Sequence, residues 1–267
     1  MPSDDRPVAI FDSGVGGLPY LAAARQRMPE EWFVYLADRS GFPYGTKSPS
    51  EVIELATTAI SLLIKKTNPK AVLVACNTAT ELAIDQIRKA NTHIPVIGTV
   101  PAIKLAAALT KTYRIGIVAT PAAARAEYLD NLTSAFASGC AVRKIGDGTL
   151  VNFVETRFLV STHEERLEAV RPSVNAMLEA GVDAIVLGCT HFVHLLAEFR
   201  ELAGSGVSIV DSREGVVKRL DTVMKNSRRT RSPVAEDCLY LTGEGEPGTV
   251  HAGFASLFAL RFAGTLP

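Results

Sequence analysis

The feature that most constrains this chain is a rhythm: short apolar runs alternate with longer stretches of helical period. Candidate strands are Val8–Phe11, Trp32–Ala37, Ala71–Ala75, Pro95–Thr99, Arg114–Ala119, Ala141–Ile145, Ala184–Leu187, Ser208–Val210 and Cys238–Leu241. The clearest helices between and after them are Gly17–Arg27, Ser50–Lys66, Ala79–Ala90, Val100–Leu109, Pro121–Phe136, Glu164–Ala180, Phe192–Ala203 and Gly215–Lys225. Ser50, with Glu54 four positions on and Pro49 just before, reads as a capped helix start. This alternation of strand and helix predicts an α/β fold with mostly parallel sheets covered by helices on both faces. With 267 residues, the chain is long enough for about two domains and for a core that needs no staples.

Composition narrows the function. Lys plus Arg and Asp plus Glu are 28 each, so the formal charge is zero. A protein that tracks a phosphate backbone carries a basic excess, so nucleic acid is not expected as a partner. Lys225, Arg228, Arg229 and Arg231 then read as a solvated loop. The N-terminal M-P-S-D-D-R-P has no basic stretch leading into an apolar segment, so no secretion signal is expected. Runs such as Ala71–Ala75 are far too short to span a bilayer, and no membrane partner is expected. The four cysteines, Cys76, Cys140, Cys189 and Cys238, are scattered without a C-x-x-C pair. That argues against a zinc site and a disulfide framework and for free thiols in the cytoplasm.

Two of these cysteines stand in echoing contexts. Ala71–Ala83 reads A-V-L-V-A-C-N-T-A-T-E-L-A, and Ala184–Leu196 reads A-I-V-L-G-C-T-H-F-V-H-L-L. A second echo pairs I-F-D-S-G (Ile10–Gly14) with I-V-A-T-P (Ile117–Pro121) at a similar offset. Strand ends of α/β proteins resemble one another in general. The sharper reading is two similar half-molecules, each contributing one thiol. Cys76 and Cys189 each follow the carboxyl end of a predicted parallel strand, where open α/β sheets bind ligands. A helix start favours negative charge, so these thiols are expected to ionise below the free value of about 8.5. Cys140 and Cys238 lack polar company and read as small buried hydrophobes.

Spacing excludes several thiol chemistries. A phosphatase loop needs Arg six residues after the nucleophile, where Leu82 and Leu195 stand. A nucleophile elbow needs Gly two residues to either side, which neither cysteine has. A Cys–His hydrolase using His191 would leave Cys76 unexplained. Two thiols on opposing half-sites suit removal of a proton from one face of a carbon and its return to the other. The segment D-S-G-V-G-G-L-P (Asp12–Pro19) supplies only G-x-G of a dinucleotide fingerprint, with Pro19 in the third glycine position, although Asp38 mimics the ribose-binding acid. It reads instead as a turn whose N–H groups and Ser13 hydroxyl hold a carboxylate.

Taken together, D-S-G-V-G-G, P-Y-G at Pro43–Gly45, C-N-T-A at Cys76–Ala79 and G-C-T-H-F at Gly188–Phe192 resemble the glutamate racemases of the aspartate/glutamate racemase superfamily, in order and spacing and over essentially the whole chain. The resemblance implies an isomerase without pyridoxal phosphate, metal or nucleotide. Cys76 would exchange the α-proton of D-glutamate and Cys189 that of L-glutamate. Asp12 and Ser13 would contact substrate and organise Cys76. Tyr44, Gly45, Asn77, Thr78, Thr190 and His191 match other substrate-contacting positions, with His191 also assisting Cys189. Glu155 matches an acidic position near the second thiol; its plain alternative is an exposed helix carboxylate. The role of Asp38 is left open. The usual Pro-Leu-Leu after the second motif is Val193-His194-Leu195 here, and His194 reads as a surface or supporting residue.

The expected architecture is therefore two similar α/β half-domains with the active site in the cleft between them: residues 1–98 with 210–267, carrying Cys76, and residues 99–209, carrying Cys189. The expected function is interconversion of L- and D-glutamate, supplying D-glutamate for peptidoglycan, by a cytoplasmic homodimer. The rivals are an isomerase of another acid and a two-lobed sensor that only closes on a dicarboxylate. A sensor has no need of either thiol.

Overall fold

A computed structural model describes residues 4–225 and 235–267. In chain order its elements are β1 (Val8–Asp12), α1 (Leu18–Arg27), β2 (Phe33–Ala37), α2 (Pro49–Thr67), β3 (Ala71–Val74), α3 (Asn77–Ala90), β4 (Val96–Gly98), α4 (Ile103–Leu109), β5 (Arg114–Ala119), α5 (Pro121–Arg125), α6 (Glu127–Phe136), β6 (Ala141–Gly146), α7 (Gly148–Thr156), α8 (His163–Glu179), β7 (Ala184–Leu187), α9 (Leu196–Ala203), β8 (Ser208–Val210), α10 (Arg213–Val223), β9 (Cys238–Thr242), α11 (Thr249–Leu257) and β10 (Arg261–Leu266). The chain divides into two compact units, Met1–Val100 with Arg213–Pro267, and Pro101–Ser212. Among the described residues every strand pairing in both sheets is parallel, as the strand–helix rhythm predicts.

In the first unit the strands run β10-β9-β2-β1-β3-β4. One face of this sheet presents Ala9, Phe11, Val34, Leu36, Val72 and Val74 to Val52, Ala56, Ile60 and Leu63 of α2 and to Ala79, Ala83 and Ile87 of α3. Successive strand residues point to opposite faces. Val8, Ile10, Phe33, Tyr35 and Leu73 are buried as well, and α1 and α10 pack together, so both faces are covered. The α2 helix starts one residue earlier than the sequence reading placed it, and its cap is Ser48, not Ser50. Ser48 caps it in a reciprocal capping box with Glu51, and Pro49 is the first helical residue, where its missing N–H costs nothing.

In the second unit the order is β6-β5-β7-β8. Ile115, Ile117, Ala119, Ala184, Val186 and Val210 form a core with α4, α5 and α6. This order repeats β2-β1-β3-β4 of the first unit, so β3 and β7, which precede the two echoing cysteines, occupy equivalent places. The helix expected over Pro121–Phe136 breaks at Ala126, whose extended backbone separates α5 from α6. The helix expected from Phe192 begins instead as a 3₁₀ turn, Thr190–Leu195, and becomes α9 only at Leu196. Lys225 is exposed; Arg228, Arg229 and Arg231 lie outside the described residues. Among the described residues no helix is long and apolar enough to cross a membrane.

Candidate active site

The first cluster forms at the carboxyl ends of β1 and β3, neighbours in the sheet with Phe11 opposite Val74. Here the strand order reverses, which is where parallel sheets open a crevice. Asp12 is the last residue of β1, and Cys76 is the N-cap of α3. The Cys76 thiol donates to the Ser13 hydroxyl at 3.6 Å. Cys76 is only 5% exposed and Asp12 is fully buried. Burial and then the Asp12 charge push the Cys76 thiol up to about 12, against the pull of the Ala79 and Ser13 N–H groups and the Ser13 hydroxyl. The expectation of an easily ionised thiol is therefore wrong for Cys76. Desolvation and a neighbouring carboxylate outweigh the helix start.

The glycine-rich turn is held by its own hydrogen bonds. Gly14 N–H donates to Asp12 Oδ1 at 2.7 Å, Gly17 N–H to the Tyr35 hydroxyl at 3.1 Å, and Leu18 N–H to the Val15 carbonyl. These N–H groups serve the turn itself, while the Ser13 hydroxyl and N–H face the Cys76 thiol. A Cβ at Gly17 would lie 2.9 Å from both Ala75 Cβ and the Tyr35 oxygen, which is why only glycine fits. Tyr44, buried in a 3₁₀ turn Tyr44–Thr46, donates its hydroxyl to Asp38 Oδ2 at 2.5 Å. Burial and then the Asp38 charge hold that phenol far above its ordinary value, so it remains a donor. Gly45 and Asn77 are half-buried and Thr78 is buried.

The second cluster forms after β7. Cys189, 7% exposed, precedes the 3₁₀ turn, and its Sγ lies 3.8 Å from His191 Nδ1. His191 Nε2 lies 2.7 Å from Glu155 Oε1. Glu155 is 8% exposed, so it is not the exposed helix carboxylate of the plain alternative. Thr190 is buried beside Cys189. The arrangement is a relay of thiol, imidazole and carboxylate, in which the carboxylate fixes the orientation of the ring. His194 is half-buried with its ring edge-on to Phe158. Cys140 is half-buried against the core of the second unit, and Cys238 lies in the core at β9, where burial pushes its thiol up to about 11.

Comparison with known proteins decides the family. Residues 20–220 match the Asp/Glu/Hydantoin racemase family. The chain belongs to that family. It is 38% identical over 260 residues to a glutamate racemase of Treponema pallidum, covering 97% of this chain and 96% of that one. It is also 38% identical over 223 residues to a glutamate racemase of Shewanella oneidensis, covering 84% and 81%. Its fold matches a crystal structure of Escherichia coli glutamate racemase in complex with L-glutamate and the activator UDP-MurNAc-ala, with TM-score 0.86, 26% identity and 98% of each chain covered.

Sequence reading missed several supporting residues of this family member. Tyr35 braces the glycine turn, since its hydroxyl also donates to the Gly14 carbonyl at 2.9 Å. Asp38, whose role was open, accepts from Tyr44, from Thr242 Oγ1 at 2.5 Å and from Gly41 N–H at 3.2 Å. A Cβ on Gly41 would lie 2.1 Å from the Asp38 carboxylate. Asp38 thereby ties the Tyr44 turn to the end of β9. Thr242 had no local signal, because its pairing partner lies 204 residues away.

Proposed function

We propose that this family member is a glutamate racemase whose two thiols, one from each unit, act on opposite faces of one α-carbon without a cofactor or metal. The observation that carries the reading is the pair of buried thiols at equivalent strand ends, one beside Asp12 and Ser13 and the other in line with His191 and Glu155. The glutamate racemases similar to this chain along nearly its whole length support glutamate as substrate.

From L-glutamate, the Cys189 thiol gives its proton to His191 and the resulting thiolate removes the α-proton. Cys76, held protonated by burial and by Asp12, delivers its proton to the opposite face and yields D-glutamate. In the reverse direction Cys76 is the base, and the Ser13 hydroxyl with the Ser13 and Ala79 N–H groups favours its thiolate. Ser13, Tyr44, Gly45, Asn77, Thr78, Thr190 and His191 are the proposed substrate contacts. The product serves peptidoglycan synthesis, and the enzyme works as a cytoplasmic homodimer.

Circular dichroism of purified protein incubated with L-glutamate or L-aspartate, nothing added, tests the substrate. Loss of signal with glutamate alone is expected; loss with aspartate alone overturns the assignment. In D₂O, D-glutamate formed early from L-glutamate carries α-deuterium while unreacted L-glutamate stays largely protiated. Unlabelled product, or substrate labelled ahead of product, overturns the opposed-thiol mechanism.

A further inference from the structure

His194 and Phe158 form a second rung beside the one that supports Cys189. Glu155 of α7 meets His191 at 2.7 Å. Three residues further along each segment, Phe158 meets His194, with ring centroids 5.3 Å apart and planes at 62°. The spacing is not incidental: in a 3₁₀ turn residues i and i+3 eclipse, so His191 and His194 face the same way. An edge-to-face pair of this kind is directional as well as apolar.

The far side of the second rung is braced. The Arg166 guanidinium stands 5.6 Å from the centre of the Phe158 ring. Arg166 also donates to the Ser161 carbonyl at 2.9 Å and to the buried Glu198 of α9 at 2.7 Å. The 3₁₀ turn runs directly into α9, so Arg166 holds Phe158 and the continuation of the turn at once.

We propose that His194 is a positioning residue: its ring contact with Phe158, braced by Arg166 and Glu198, sets the register in which Glu155 aims His191 at Cys189. The inference rests on the racemase reading only for its effect on turnover. Its effect on the Cys189 thiol stands by itself.

The test compares wild-type, His194→Ala and His194→Phe proteins. Two quantities are measured: racemisation of L-glutamate, and the rate at which iodoacetamide modifies each cysteine at pH 8, read by mass spectrometry of the peptides. Losing one rung of a coupled pair is expected to slow Cys189 modification in His194→Ala by about five- to ten-fold, with Cys76 unchanged. Racemisation kcat/KM falls by a similar factor. Unfolding has the opposite sign, since it would speed modification of all four cysteines. His194→Phe keeps the ring contact without the imidazole and is expected to restore the Cys189 rate to within about two-fold. An unchanged Cys189 rate in His194→Ala overturns the proposal, as does a His194→Phe protein as slow as His194→Ala. If wild-type protein does not racemise glutamate, the function assignment fails, and the modification rates still decide the role of His194.

Discussion

Asp12→Asn separates the reactivity of Cys76 from its usefulness. The substitution keeps the side-chain shape and an acceptor for the Gly14 N–H, which bonds Asp12 Oδ1 at 2.7 Å, and removes only the charge. Burial is the first cause that holds the Cys76 thiol at about 12, and the Asp12 charge is the second. At pH 9 such a thiol is ionised in about one molecule per thousand. Burial survives the substitution, so the thiol stays above its ordinary value. Removal of a fully buried neighbouring charge lowers it by about one pH unit. Alkylation proceeds through the thiolate, so Cys76 modification by iodoacetamide between pH 8 and 10 should become about ten-fold faster. Racemisation should nevertheless fall, because the group proposed to organise Cys76 beside the substrate is then neutral. The measurement is the Cys76 peptide alkylation rate against pH, beside turnover on the same samples. Slower or unchanged Cys76 alkylation in Asp12→Asn would refute the reasoning, since it would mean that Asp12 does not oppose the thiolate.

Cys76→Ala and Cys189→Ala should each abolish racemisation in the dichroism assay, whereas Cys140→Ala and Cys238→Ala should keep it; normal turnover in either of the first two removes that thiol from the mechanism. Glu155→Gln should lower kcat by about 10- to 100-fold, since a charge-assisted hydrogen bond to a buried partner contributes about 1.5–3 kcal/mol; steady-state kinetics checks this, and an unaffected kcat would show the carboxylate to be structural. Asp183 precedes β7, whereas Cys189 follows it, and Asp183 acts on stability. Burial opposes its ionisation, but hydrogen bonds from the Thr110 hydroxyl and from the Lys111 and Thr112 N–H groups win and hold the carboxyl at about 2. A depressed carboxyl stabilises the fold above its ordinary value near 3.8 and loses that contribution as pH falls toward 2. Asp183→Asn should therefore lower the denaturation midpoint by an amount worth about 1–2 kcal/mol at pH 7, with the difference from wild type shrinking below pH 4. A difference independent of pH would rule out the charge as its cause.

Fold class could be read from local pattern alone, because continuous apolar runs of strand length, buried at every position, and the helical period between them are local properties. Arg114–Ala119, Ala184–Leu187 and Ser208–Val210 stand as strands where the pattern places them. Elements with weak local signals were lost: α7 is rich in β-branched residues, α11 carries a mid-helix glycine, and β10 is an edge strand interrupted at Gly264 by a register shift. The motifs marked Cys76 and Cys189, since a thiol beside polar groups at a strand end is visible in one dimension. What surrounds each thiol was decided by tertiary structure. The sheet order puts Asp12 of β1 against Cys76 after β3 and buries both, and that reverses the ionisation expected from the helix start. Packing of α7 on the 3₁₀ turn turns Glu155 from an apparently ordinary helix carboxylate into the partner of His191, and Asp38 finds Thr242 at the far end of the chain. Desolvation and charge–charge distances depend on which strands are neighbours, and that is fixed by contacts between residues far apart in sequence.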